Sequence, residues 1–515
     1  MYCVYVFKKA SIMILLFALV SPTTFTPASA AVKAGAKCSK IGTTSNVLGK
    51  AFICIKSGKK LVWSKAGTAS KSAVNYRDTF STDNGYFDNF VQGPCQLDPY
   101  VPTEWVEMQK LFYDLQACGG QLRLAKYNLG NLRPKTIFSD PKEFNSVQPC
   151  KINSGNHYSL MHRSEGNEIS RKHPGPNSVI QLVPIYAEDT APPKNTPAKD
   201  YEKYLAYIKE WVDYSSDFGS NVKYKIPDQY IKFPGKIADY KLYHPLNWDA
   251  PNNVRFNKDV IAAVDPVIDF TEVNMVIVVA PAGSDASIMQ QAAIGSFQTK
   301  EGTASVGMSQ FPDNPTNPGG SQYIVAAHPF WWIHESYHAG YGLDDHYGDN
   351  RSSINSEHGM GWWTMMTPWG GDLSIWEKWI LGFIKDSQVQ CTSESPSSTH
   401  WIAPSSVNTK ESKAIIVPIS NTKVLVAESV RSAGLYYKIP SQNQGVLVYE
   451  IDLTKSDHGM GMKLSVPRNK QINSTTPFFM AGATLKKGDS TTSNGITFTI
   501  IESGTFGDVI KVSKE

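Results

Sequence analysis

After its first 30 residues the chain has no apolar run of spanning length, which argues against a helical membrane body. It has no C-x-x-C pair, so neither a thiolate zinc site nor a dithiol redox motif is indicated. No segment repeats at a fixed period, which removes solenoids and propellers. Acidic residues are missing altogether from residues 1–68, which carry ten lysines. Removing those ten from the totals of 50 basic and 46 acidic residues leaves 40 against 46, a balance of −6 for the remainder. The formal charge of +4 therefore conceals a basic N-terminal segment on a mildly acidic body, and such a body disfavours nucleic-acid binding.

What is present begins with "MYCVYVFKKASIMILLFALVSPTTFTPASAA". Lys8 and Lys9 precede an apolar stretch from Ala10 to Val20, and Ala28-Ser29-Ala30 supplies small residues for cleavage. That is the pattern of a secretory signal over residues 1–30, so an exported, soluble protein is expected. Of seven cysteines, Cys3 leaves with the signal. Cys38, Cys54, Cys95, Cys118, Cys150 and Cys391 remain, an even number in keeping with disulfides. Cys38 and Cys54 share one short segment and are expected to pair. The other four leave three connectivities open.

The texture of the chain divides it further. Residues 31–68 alternate short apolar runs with Gly and Lys, as in a small β-rich module. Their basic charge suits contact with an anionic cell envelope, although such charge more often makes a solvated face. Residues 69–174 read as a linker followed by an N-terminal or pro-segment region. "SVIQLVPIYAED" and "VNMVIVVAPAG" read as buried strands. Between them, Tyr201, Tyr204, Leu205, Ile208, Trp211 and Val212 fall at helical spacing, with Gly219 as a stop, and "NKDVIAAVDPVIDF" reads as a second helix. Helices between strands place a layered α/β arrangement in residues 175–391. Residues 392–515 hold short alternating strands and turn residues, the signature of an all-β, sandwich-like domain.

The residues that carry chemistry lie in "HPFWWIHESYHAGYGLDDHYG", the stretch that opens at His328. His334 and His338 are four residues apart, so a helix presents both imidazoles on one face, able to bind one ion. Glu335 lies one residue around the helix, placed to take a proton from water on that ion. A catalytic zinc needs a third protein ligand and an open fourth position. Glycines at 340 and 342 can end the helix and turn the chain back, bringing Asp344, Asp345 or His346 toward the ion. The bland alternative is a pair of satisfied core histidines, and the converging acids weigh against it.

These residues resemble the motif of the immune-inhibitor-A family of secreted bacterial metalloproteases, H-E-x-x-H-x-x-G-L-x-D, within the metzincin-type layout. The similarity extends to "GMGWWTMMTPWGGDLSIWEKWILGFI", which looks like that family's methionine-turn region, with Met365 and Met366 as a floor beneath the metal. "VIQLVPIYAEDTAPP" and "WVDYSSDFGSNVKYKI" upstream and "VLVAESVRSAGLYYKIPSQNQGVLVYEID" downstream keep the family's order, over roughly residues 175–515. Two departures stand out. The chain carries one extra residue after His338, and Ser215–Gly219 is a loose match to the upstream element. The resemblance implies an α+β, zincin-like catalytic domain with a mixed sheet and an active-site helix, followed by the β-sandwich. It also implies zinc on His334, His338 and Asp345, with Asp344 as runner-up and Glu335 as base. A structural calcium is a further implication, with Asp313, Asp349 and Asp372 in turns, although no EF-hand-like spacing is present. A secreted zinc endopeptidase acting on extracellular protein or peptide is the function expected. An inactive relative that binds at the cell surface and a zinc hydrolase of wall peptides are the alternatives.

Overall fold

The structure is a computed structural model that describes residues 33–65, 117–162, 177–242, 251–310, 333–346, 359–436 and 439–514, with short gaps inside these ranges, one of them at Glu335. The secretory-signal residues 1–30 lie outside the described residues. Among those described, no helix is long and apolar enough to cross a membrane. The chain forms two compact units, Met1–Val74 and Asn75–Glu515. Among the described residues the chain combines helices with mixed sheets, few of the former and many strands, an α+β character.

The first unit is a three-stranded antiparallel sheet of β1 (Thr44–Val47), β2 (Lys50–Ser57) and β3 (Lys60–Lys65). Alternation puts Phe52 and Cys54 on one face, where they meet Trp63 and Cys38 in a small core. The Cys38–Cys54 disulfide crosses that core with its Cα atoms 5.9 Å apart. So few apolar side chains give little burial, and a covalent tie is how such small modules hold together. Lys33, Lys37, Lys40, Lys56, Lys59 and Lys60 are all exposed.

The first described elements of the second unit are a two-residue strand pair, β4 (Ala117–Cys118) and β5 (Gln121–Leu122), and a run of 3-10 turns to residue 162. Its main sheet follows. β6 (Asn177–Tyr186) lies between β7 (Asn221–Lys225) and β9 (Met275–Val279), parallel to both, and the short β8 (Ile231–Lys232) pairs with its far end. β11 (Gly302–Gln310) adds in parallel beside β9, and β10 (Gly295–Thr299) closes the edge antiparallel to β11. The crossovers carry the helices. α1 (Pro197–Asp200) and α2 (Glu202–Ser215) lead from β6 to β7, and α3 (Pro251–Val264) leads to β9.

Period-2 alternation sorts β9 between two layers: Met275, Ile277 and Val279 pack with α2, whereas Val276 and Val278 pack with α3. Both faces are covered, which is why this strand reads as an unbroken apolar run. The six residues expected to line the buried side of α2 are all buried. Its end differs from expectation. Asp217 and Phe218, at φ 51° and 62°, break the helix before Gly219 does. Asp tolerates this left-handed region better than most residues, and its carboxylate pairs with the buried Lys413.

Further along, α4 (Ile375–Ile380) precedes two packed sheets. One runs β12 (Val389–Cys391), β14 (Ala414–Ser420), β15 (Lys423–Val430), β16 (Gly445–Asp452), β17 (Met462–Leu464). The other runs β13 (Ser397–Ile402), β20 (Gly507–Lys514), β19 (Ile496–Gly504), β18 (Ser490–Ser493). Ile415, Val417, Leu425 and Val448 of the first meet Phe498, Ile500 and Ile510 of the second. The alternate residues Ile416, Val424, Val426 and Leu447 face the other way, into one core with α2, α4 and the residues around Trp363. The first sheet is thus a middle layer buried on both sides. Residues 124–162 enter that same core through Leu124, Val147, Ile152, Leu160 and Met161. Cys150 is disulfide-bonded to Cys391, 241 residues later.

A buried acid in the middle layer makes one prediction. Glu428 is fully enclosed, and burial pushes its carboxyl up to about 7 against Ile375 N–H, Ser405, Tyr449 and Lys378, all of which lower it. Between the unfolded value of 4.5 and about 7 the native state keeps a proton that the unfolded chain has lost, so this group's contribution to stability falls as pH rises through that window. At about 1.4 kcal/mol per pH unit the fall totals on the order of 3 kcal/mol. Glu428→Gln should remove it. The variant's unfolding free energy relative to wild type should grow from pH 4.5 to 7 and then level off. A difference that is flat with pH would disprove this.

Candidate metal centre

Ile333 and Tyr337 are one helical turn apart and both buried, with the Tyr337 ring in edge contacts with Trp211 of α2 at 5.5 Å and with Phe383 at 6.4 Å. That anchored stripe fixes the neighbouring one, about 100° around the helix. His334 and His338, also one turn apart, turn their rings toward each other with centroids 4.7 Å apart. Each ring is steered from behind. His334 Nδ1 lies 3.0 Å from the Met365 carbonyl and His338 Nδ1 lies 2.7 Å from the Leu343 carbonyl. A carbonyl can only accept, so each Nδ1 carries a proton, and in the neutral ring each Nε2 then keeps its lone pair.

The helix ends unusually. Tyr337 and His338 adopt a π-type turn, and the Leu343 N–H reaches back to the Tyr337 carbonyl at 3.1 Å. That bond spans one residue more than the common glycine-terminated helix end. Gly342 sits at φ 69°, the left-handed conformation that such a turn requires. From there the chain returns along the site, pinned by His346 N–H to the Met366 carbonyl at 2.9 Å. Consecutive carbonyls of one turn, Met365 and Met366, thus hold both the histidine helix and the returning loop. Both methionines are fully buried.

Adjacent side chains in an extended loop face opposite ways, and the two aspartates do so. Asp345 turns inward. Its Oδ1 is 3.2 Å from His334 Nε2 and 3.3 Å from His338 Nε2, and those two nitrogens are 3.2 Å apart. Asp344 turns toward Ser159, whose hydroxyl donates to it at 3.3 Å, and toward His157 Nδ1 at 3.8 Å. The three inward atoms make a nearly equilateral triangle, and this His-His-Asp group can hold a metal ion. An ion about 2.0–2.1 Å from all three would see its edges at angles of about 104°, near the tetrahedral value. Two neutral imidazoles and a carboxylate are also the donor types that a borderline divalent ion prefers. His334 is buried, whereas His338 and Asp345 keep 15% and 12% of their side chains exposed, so approach is from their side.

Not every residue singled out in the sequence falls within view. Glu335, Asp313 and Asp349 lie outside the described residues. Asp372 is described and enclosed, with its oxygens taken by Ser215, Ser406 and Lys378. His346, one of the three candidate third ligands in the sequence, is fully buried with Nε2 3.2 Å from Glu377 Oε1, at an ion-pair distance but not in an aligned hydrogen bond. Burial pushes the Glu377 carboxyl up, and the contacts from His346, Thr364 and Ser374 more than offset it, leaving the group below its ordinary value. Glu377 was not among the residues singled out in the sequence. The S-x-x-E of "SIWE", a capping-box signal, was the clue to its fixed position.

No protein-family model, curated protein or solved structure matches this chain.

The opposed aspartates give a direct test, read by competition with a chromophoric chelator using Zn2+ as probe. Asp345→Ala should weaken binding by more than the roughly 10–100-fold typical of losing an outer partner, while Asp344→Ala should change it little. The reverse order would show that the inward residue has been misassigned.

Proposed function

We infer that the protein is a zinc-dependent endopeptidase with a zincin-like catalytic body, exported from the cell and acting on extracellular protein or peptide. The observation that carries this reading is the donor triangle of His334, His338 and Asp345, with edges of 3.2–3.3 Å. The mixed sheet in the same unit, the H-E-x-x-H spacing and the turn at Met365–Met366 support the same reading.

A zinc ion bound there would supply Lewis acidity, lowering the pKa of a coordinated water and polarising a carbonyl. The chain does the rest. His334 and His338 present lone pairs fixed by the Met365 and Leu343 carbonyls, so little reorganisation is needed on loading. Asp345 brings one negative charge, so the loaded site keeps a net positive charge toward the substrate carbonyl. Glu335, placed by its position between the two histidines, takes a proton from the attacking water and passes it to the leaving amine nitrogen. The exposed lysines of residues 31–68 suit a second task, contact with an anionic envelope surface.

Casein hydrolysis by the purified protein, with and without chelator, tests the peptidase reading. Glu335→Gln should keep its zinc while losing turnover by on the order of 10²–10⁴-fold, because only the proton acceptor is changed. Unchanged turnover would remove Glu335 from the mechanism, and zinc binding without any hydrolysis by wild type would favour the binding-protein alternative. Deleting residues 31–68 should leave casein hydrolysis intact and lower retention on the producing cell's envelope. Equal retention of the two forms would end the anchoring idea.

A further inference from the structure

Glu377 is more deeply buried than its capping role requires. It occupies the third position of α4, where its Oε2 accepts from Ser374 N–H at 2.7 Å and Ser374 Oγ accepts from its own N–H at 3.2 Å. A capping box is complete with those two bonds and one carboxylate oxygen. Here the same Oε2 also accepts from Thr364 Oγ1 at 2.5 Å, and Oε1 lies 3.2 Å from His346 Nε2 with no hydrogen-bond partner among the described residues. Glu377, Thr364 and His346 are all fully buried.

The two extra contacts lead to the two sides of the donor triangle. Thr364 immediately precedes Met365, whose carbonyl orients His334. Its φ of 111° is an outlier for a β-branched residue, and such conformations cost on the order of 1–3 kcal/mol unless their surroundings impose them. His346 immediately follows Asp345, and its own N–H and carbonyl are bonded to Met366 O and Met360 N at 2.9 and 2.7 Å. One carboxylate therefore touches both the turn that aims His334 and the loop that delivers Asp345.

We propose that Glu377 is a positioning residue of the metal centre, a single buried carboxylate that sets the methionine turn and the Asp345 loop at the spacing the ion requires. This rests on the metal-centre reading above. A residue that only capped α4 would affect folding alone. A positioning residue affects how much the metal gains on binding, because without it the donors must be gathered at the moment of loading.

The experiment uses the full chain and measures Zn2+ affinity by chelator competition, together with the rise in Tm on adding zinc. Glu377→Gln should weaken zinc binding by about 10–100-fold and narrow that rise. Thr364→Val, which removes the hydroxyl at nearly constant volume, should act in the same direction, and Thr364→Ser, which restores it, should return affinity close to wild type. If Glu377→Gln and Thr364→Val lower Tm equally with and without zinc and leave affinity unchanged, the role is capping and the proposal is overturned. Should Glu377→Gln fail to fold, the Thr364 pair decides alone. Wild-type protein whose zinc binding is absent, or is unaffected by His334→Ala, would instead overturn the metal-centre reading and the positioning role with it.

Discussion

A buried carboxylate, Asp372, joins the parts of this structure that surround the His334, His338 and Asp345 triangle. One of its oxygens takes the Ser215 hydroxyl at the end of α2, and the other takes the Lys378 ammonium from α4 and the Ser406 hydroxyl from the β-layers. Its backbone carbonyl accepts from Met365 N–H at 2.7 Å, so the turn behind His334 hangs from the same residue. A second buried pair, Lys413 with Asp217, lies beside it. Burial pushes the Asp217 carboxyl up and the Lys413 ammonium down, and their mutual charge pulls each back. Such pairs add little net stability compared with apolar packing, but removing one partner typically costs about 3–5 kcal/mol. Their geometry is therefore hard to relax, which suits a scaffold that must hold three donors a few ångströms apart.

That constraint explains why the β-sheets are part of the site's support. The middle sheet gives one face to the outer sheet and the other to α2, α4 and Trp363. Trp363 Nε1–H donates to the Met480 carbonyl and Trp376 Nε1–H to the Leu160 carbonyl, so the large aromatic side chains of this core are oriented as well as buried. A shift of the middle sheet would be felt by the methionine turn through contiguous, close-packed side chains.

How much of this the sequence discloses depends on what each residue's period can encode. β6, β9 and the stripe of α2 were legible because alternation and helical spacing directly reflect burial. His334 and His338 were legible because four-residue spacing fixes a shared face, and the choice between Asp344 and Asp345 reduced to which of two neighbours turns inward. α3 begins at Pro251, six residues before the helix read from "NKDVIAAVDPVIDF", because polar residues in its first turn carry no periodic signal. Buried charge is harder to see. Glu377, Lys378, Asp372 and Lys413 look like solvated residues in a sequence, since only long-range partners reveal that they are enclosed. The Cys150–Cys391 pair was equally hidden, as spacing cannot choose among three connectivities.

Residues 124–162 show the same limit most fully. Their 3-10 turns give no periodicity, so they read as a linker or as a pro-segment that could be removed. Yet Leu124, Val147, Ile152, Leu160 and Met161 are buried in the shared core, His162 packs against Trp376 and Trp379, and Ser159 donates to Asp344 beside the metal loop. At about 1.5–3 kcal/mol for each buried apolar side chain, exposing those five would cost on the order of 10 kcal/mol. That is comparable with the whole stability of a typical domain. The disulfide from Cys150 to Cys391 would keep the segment attached even if the chain were cut after residue 162. This stretch is thus packed into the same body that carries the His334, His338 and Asp345 triangle.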